Sequence, residues 1–272
     1  MADTGKRAAP GQDTRATHAF GIDFGGSGIK GAPVDLGGGD FADERHRIDT
    51  PQPATPEAVA EVMRELVEEA DLPDDAAVGV TVPAVVRRGT VLSAANIDPA
   101  WIGTDADKLF TSALERSVHV VNDADAAGYA EVRYGAAKDQ SGLVIVTTLG
   151  TGIGSALVFQ GHLVPNTELG HLEIDGHDAE KRAANSAREK KDLSWEEWAE
   201  RLTVYYRTVE MLFSPDLFVV GGGVSKKADR FLHLIDVQTP MVPAELGNRA
   251  GIVGAALLAQ QEKEGLTPPT AL

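Results

Sequence analysis

The sequence predicts an α/β protein made of two similar halves with a cleft between the two domains. Three observations carry that expectation. An apolar, β-branched run meets a tight glycine turn and resumes as a second apolar run at Phe20–Gly31, and the pattern returns at Val144–Leu157. The order hairpin, strand, helix, strand can be read after each turn. With 272 residues, 43% of them hydrophobic, the chain can build two modest cores. The expected division is a disordered tail over 1–17, a smaller α/β domain over 18–121 and a larger one over 122–272. A helix at about 250–261 can pack back onto the first domain.

The elements follow in order. Residues 1–17 are Ala, Gly, Asp, Thr and Arg without periodicity, which suits a tail. His18 to Leu36 reads as the first hairpin, and Asp40 to Thr50 as a third strand after the Gly37-Gly38-Gly39 turn. Residues 51–56 form a linker. Thr55 can cap a helix that Pro56 and Glu57 open, with Val59, Val62, Met63, Leu66 and Val67 as its apolar stripe. Ala77 to Val82 is a strand stopped by Pro83. Val118 to Val121 is another, running into Asn122-Asp123 and a small-residue helix. Leu143–Leu149 and Ile153–Phe159 make the second hairpin. Ser194 caps a helix over 195–213 that has Glu196 and Glu197 in its first turn. Leu217 to Val220 is a strand ending in Gly221-Gly222-Gly223, and Ala250 to Gln261 is the last helix.

Composition excludes several classes. The formal net charge is −16 and the pI about 4.8, opposed to a basic field for nucleic acid or membrane surfaces. There is no cysteine, which removes disulfides and thiolate zinc sites. No apolar run is long enough to span a bilayer and no signal peptide is visible, so the expected location is cytoplasmic. Aromatic residues are only 6%, too few for base-stacking platforms.

Four constellations can carry chemistry. The first is Asp23 with Gly25, Gly26, Ser27, Gly28 and Lys30. Glycines let backbone N–H groups close on phosphate oxygens, and an acid at the strand end can face a metal–phosphate. The second turn supplies Thr148, Gly150, Thr151 and Gly152. No Walker string G-x-x-x-x-G-K-[ST] occurs. Next is Asn122-Asp123-Ala124, at the carboxyl end of a strand. Asp123 can accept a proton from a hydroxyl in phosphoryl transfer, or either residue can simply cap the helix. Asp125 reads as a first-turn acid. The third is Glu168-Leu169-Gly170-His171, a carboxylate and an imidazole able to bridge sugar hydroxyls, with Asn96 as a further amide. The fourth is Gly222, Gly223, Ser225 and Lys226, a strand-to-helix anion site or a plain flexible connection.

Together these motifs resemble the ROK family of sugar kinases within the actin-like ATPase (ribonuclease H-like) fold. The resemblance runs from about His18 to Gln260. Its residues are Asp23-Phe24-Gly25-Gly26, Asn122-Asp123-Ala124, Leu149 to Gly154, Glu168-Leu169-Gly170-His171 and Gly221 to Ser225. Within the family, Thr147 to Gly152, His171 to His177 and Phe213 to Phe218 are similar to its polyphosphate-using members. The resemblance implies phosphorylation of glucose at its 6-hydroxyl by inorganic polyphosphate or ATP. It implies Mg²⁺ held indirectly at Asp23, Asp123 as the base, and a homodimer. Asn96, Asn122, Asp123, Glu168 and His171 would bind the sugar. So would a further glutamate, placed at Glu180 with Glu173 and Glu189 as substitutes. The family's cysteine-rich zinc loop is missing, and its place is taken by residues 175–192. There Lys181, Arg182, Arg188, Lys190 and Lys191 suggest part of a polyphosphate track. A sugar-sensing regulator would need a DNA-binding module ahead of His18, which the 17 residues there do not suggest. The helix at 195–213, with Trp195, Trp198, Leu202, Tyr205, Tyr206, Val209 and Leu212, is the expected dimer face, or plain core.

Overall fold

A computed structural model of the chain describes residues 18–95 and 97–266. The predicted tail over 1–17 and the predicted sugar ligand Asn96 lie outside the described residues. In chain order the elements are β1 (His18–Phe24), β2 (Ile29–Asp35), β3 (Asp40–Phe41), β4 (His46–Ile48), α1 (Pro56–Glu69), β5 (Val78–Val82), β6 (Val86–Arg87), β7 (Thr90–Val91), α2 (Ala106–Leu114), β8 (Val118–Asn122) and α3 (Asp123–Tyr134). The second half holds β9 (Leu143–Leu149), β10 (Ile153–Phe159), β11 (His162–Val164), β12 (Glu173–Ile174), β13 (His177–Asp178), α4 (Glu180–Ala183), α5 (Asn185–Lys190), α6 (Trp195–Phe213), β14 (Leu217–Gly221), β15 (Met241–Pro243) and α7 (Ala250–Lys263).

Two sheets organise the molecule. The first runs β3-β2-β1-β5-β8 with β4 also on β2, and the second runs β11-β10-β9-β14-β15. In each, an antiparallel hairpin is followed by parallel strands: β1 with β5 and β8, β9 with β14 and β15. The repeated glycine-turn hairpin is therefore the repeated first step of two similar sheets. One face of the first sheet packs on α1 and α2 through Phe20, Ile22, Val59, Met63, Trp101 and Phe110. The other meets α7. α3 lies against α7 and covers one face of the second sheet, and α6 covers the opposite face.

α7 is pressed into this sandwich without room to spare. A Cβ added at Gly21 would stand 2.0 Å from the Ile252 carbonyl oxygen, and one at Gly79 1.9 Å from that of Ala255. One at Gly254 would stand 1.9 Å from the Ala126 carbonyl oxygen on α3. The hairpins and the ends of α6 fall where the sequence puts them, and Ser194 with Glu197 completes a capping box.

The expected third strand over 40–50 is corrected. It is two short strands, because three residues back along β2, from Val34 to Gly31, consume five on the partner, from Phe41 to His46. Pro33 stands in that gap and has no N–H to donate, so the ladder breaks there. The aromatic stripe of α6 is core: Trp198, Leu202, Tyr205, Tyr206 and Val209 are buried within the chain. The apolar residues that α6 leaves exposed are Val204, Met211, Leu212 and Phe213.

Candidate active site

β1, β5 and β8 end side by side, with Asp23 paired to Thr81 and Thr81 to Val121. Asp123 follows two residues later at the start of α3. It is thus displaced from Asp23 by two strand spacings, about 9–10 Å of sheet. The carboxyl ends of parallel strands are where α/β folds place ligands. Thr81 Oγ1 donates to Asp23 Oδ1 at 3.2 Å, and Lys30 Nζ reaches Asp23 Oδ2 at 3.4 Å. The same ammonium hangs over the first glycine turn, 3.9 Å from where a Cβ of Gly25 would be. The turn closes by Gly25 N–H donating to the Gly28 carbonyl at 3.2 Å. Two groups brace it from behind: Thr50 Oγ1 donates to the Gly25 carbonyl at 2.6 Å, and Arg47 Nη2 to that of Ser27 at 2.8 Å.

Asn122 caps α3. Its Oδ1 accepts from Ala124 N–H at 2.8 Å and Asp125 N–H at 3.0 Å, while Nδ2 donates to the Ala84 carbonyl at 3.0 Å. Asn122 is thus the cap, and Asp123 Oδ1 shares the Ala124 N–H at 2.9 Å. Burial and the neighbouring charge of Asp23 push the Asp123 carboxyl up to about 6, with Glu168 adding to the rise and the Ala124 N–H opposing it. Glu168 is itself raised by burial and by Glu180, against the pull of His171. Asp23, Asp123 and Glu168 therefore share one electrostatic environment, across residues 145 positions apart in sequence.

The second glycine turn is held from the other side. Gly150 N–H donates to the Gly152 carbonyl at 3.0 Å. Ile153 N–H donates to Glu180 Oε2 at 3.1 Å, and Ser186 Oγ to the Thr151 carbonyl at 2.6 Å. A Cβ at Gly152 would lie 2.2 Å from that glutamate oxygen. Thr148, the penultimate residue of β9, pairs with Gly221, and the Gly222 backbone (φ +84°) packs so closely on Leu149 that a Cβ would be 2.4 Å from its carbonyl oxygen. Gly222 is thus a neighbour of the second turn, Ser225 Oγ donates back to the Gly222 carbonyl at 2.8 Å, and Gly223 and Lys226 lie on the run that follows. The helix expected after them is a 3₁₀ run over Gly223–Arg230, broken at Lys227.

Glu168 leads into a 3₁₀ turn over Leu169–His171. Gly170 is required there, since a Cβ would lie 2.1 Å from the Ile153 carbonyl oxygen. His171 Nδ1 lies 3.3 Å from Asp178 Oδ2 and 3.9 Å from Glu180 Oε1. Glu180 is therefore the candidate that sits beside both His171 and the second turn. Glu173 is exposed on β12, and Glu189 accepts from Asn185 on α5.

Several residues were missed from sequence. Asp178 orients His171 and accepts from the Glu180 N–H at 3.2 Å. Asn166 (φ +60°) pairs its amide with both backbone groups of Val86, at 2.8 and 2.7 Å, tying the loop before Glu168 to the first half. Asp125 holds the Asn166 N–H at 2.6 Å, and burial raises its carboxyl to about 7. It is more than a first-turn acid. The only local signal for any of these was polarity at element ends.

Among the described residues, two places offer donor atoms to a cation. Asp23 offers carboxylate oxygens beside a phosphate-type turn, with Asp123 close enough to repel it, and this oxygen-only donor set fits Mg²⁺. His171, Asp178 and Glu180 form the other group, with donor atoms all within 4.8 Å of one another. One oxygen each of Asp178 and Glu180 is already spent on a backbone N–H.

Comparison with known proteins adds the following. The ROK family model matches residues 19–182. A polyphosphate glucokinase of Mycobacterium leprae (strain TN) is 50% identical over 261 residues, 94% of this chain and 80% of that protein. One from Mycobacterium tuberculosis (strain CDC 1551 / Oshkosh) is 50% identical over 260 residues, 94% and 97% respectively. Among solved structures, the inorganic polyphosphate/ATP-glucomannokinase of Arthrobacter sp. strain KM aligns with a TM-score of 0.85 at 55% identity, covering 90% of this chain and 99% of that one. A ROK family glucokinase of Streptomyces griseus, in complex with glucose and AMPPNP, aligns with a TM-score of 0.76 at 25% identity over 90% and 99%.

Proposed function

Because the chain belongs to the ROK family, we propose that it is a glucokinase that transfers the terminal phosphoryl group of inorganic polyphosphate, or of ATP, to the 6-hydroxyl of glucose. The observation that carries this is the Asp123 carboxyl. It stands at a strand end near the first glycine turn, with its pKa lifted to about 6 between Asp23 and Glu168. Such a group is ionised at neutral pH yet basic enough to take a hydroxyl proton as transfer proceeds. The sugar oxygen attacks the terminal phosphorus, the bridging P–O bond breaks, and the donor leaves one phosphoryl unit shorter. The proton goes to Asp123. Glu168, His171 and Glu180 accept or share the remaining hydroxyls, Asp178 fixes the imidazole, and Asn96 adds an amide. Asn122 sets the start of α3 and with it the Asp123 position.

The glycine turns at 25–28 and 150–152 present backbone N–H groups to the donor, with Lys30, Thr148, Gly222, Gly223, Ser225 and Lys226 around them. Mg²⁺ at Asp23, when bound, would neutralise phosphoryl charge. The two sheets act as two domains whose closure excludes water. Mannose is a second acceptor, favoured by the name of the Arthrobacter relative. We further infer a homodimer through the exposed end of α6 and a cytoplasmic location. Among the described residues no helix is long and apolar enough to cross a membrane.

The test is a matched screen of the purified protein: polyphosphate, ATP and GTP as donors, with glucose, mannose, fructose and N-acetylglucosamine as acceptors. Glucose 6-phosphate formed from polyphosphate is the expected result. Turnover with nucleotide alone would remove the polyphosphate half, and no sugar phosphate from any pair would remove the kinase. Light scattering checks the dimer.

A further inference from the structure

The basic residues predicted as a track over 181–191 are divided by the fold. Lys181 lies 3.7 Å from Asp178, and the Arg188 guanidinium stacks 4.3 Å over the Trp195 ring. Arg182 and Lys191 turn instead to a different place. With Arg201 of α6 and His177 they line a cavity of about 310 Å³ whose one acid is Asp175. Among the described residues, none of Arg182, Lys191 and Arg201 has a carboxylate within salt-bridge distance. This occurs in a chain with 41 acids and 25 bases. Arg201 Nη1 donates to the Arg182 carbonyl at 3.4 Å, and the three cations of the lining repel one another and face the single carboxylate of Asp175. A second observation points the same way. Tyr205, only 1% exposed, lines this cavity too, and its buried hydroxyl has no hydrogen-bond partner.

The cavity is not the cleft already described. Its floor includes Ala179 and Ala183, the flanks of α4. α4 sends Glu180 the other way, to the Ile153 N–H of the second glycine turn. The two places are therefore separated by about one helix thickness, roughly 10 Å.

We propose that this cavity is a second anion site that binds phosphoryl oxygens, with the far part of a polyphosphate donor as the occupant its size and position suit. For the choice of occupant this rests on the polyphosphate reading above; the anion site itself does not. A distal anchor of this kind would lower the KM for long donors without touching the chemical step, because only the remote part of the donor gains a contact.

The test uses the full chain with Lys191→Gln, Arg201→Gln and the double variant Arg182→Gln/Arg201→Gln. Glucose phosphorylation is followed with long-chain polyphosphate, tripolyphosphate and ATP. The expected result is a KM for the long chain raised about tenfold in the double variant, with ATP kinetics unchanged. The slope of log KM against log salt should fall by about one per lost contact. Arg201→Lys should restore most of the loss. Calorimetry with inorganic phosphate and tripolyphosphate separates the sources. Binding that the variants lose, with long-chain KM unaltered, supports the site with a free phosphate as its ligand. If wild-type protein fails to use polyphosphate at all, the donor reading fails and the calorimetry still decides the cavity. No binding and no KM change, or equal losses with every donor, would overturn the proposal.

Discussion

Asp123 is the residue on which the chemistry turns. Replacing it by Asn keeps the shape and removes the proton acceptor, so kcat should drop by about 10²–10⁴ while the Tm at neutral pH is not lowered, since a buried carboxylate is removed. Near-normal turnover would move the base elsewhere. In the parent, kcat/KM for glucose should fall about tenfold per pH unit below a midpoint near 6, because protonation empties the base. Asp125 tests a different kind of claim. Its carboxyl is raised to about 7 in the fold, against an ordinary value of 3.8. The stability this contributes is complete below the unfolded value and is lost as pH rises through 7. Asp125→Asn keeps an acceptor for the Asn166 N–H without ionising. Its Tm relative to the parent should therefore climb between pH 5 and 7.5; a constant offset would contradict the assignment.

At the scale of elements, α7 makes the sharpest demand. Gly254→Ala drives a methyl into the Ala126 carbonyl and should cost more than about 2 kcal/mol in urea unfolding. Gly26→Ala is the control, since nothing lies within 4 Å of its Cβ position. Equal effects at the two positions would mean that the close approach is relaxed in solution. These glycines also show how far the sequence could be read. The hairpins at 18–35 and 143–159 and the ends of α6 were legible because β-branched runs, glycine turns and a capping box are local signals. Gly21, Gly79 and Gly254 carry no such local signal, since what they make room for lies far along the chain. The break between β3 and β4 needed the pairing with Pro33 to be known. Asp178 and Asn166 were invisible for the same reason. Each is an ordinary polar residue until folding sets it against His171 or Val86.

On the whole molecule, the Asn166 amide on Val86 is a direct tie between the loop after β11 and the β6–β7 ribbon of the first half. Glucose at a hundred times its Kd should add about 2.7 kcal/mol of stability. Asn166→Ala should weaken glucose binding while leaving the Asp123 pH midpoint in place, a split that a general loss of folding would not give. The position of α7 has its own consequence. The last strand of the first sheet is complete at Asn122, yet one face of that sheet is closed mainly by residues 250–263, which are made much later, with Ala130 and Tyr134 of α3 covering a part of it. Until α7 arrives Ala19, Ala32 and Val34 lack most of their cover, and the nascent chain carries an open apolar surface that a holdase could grasp.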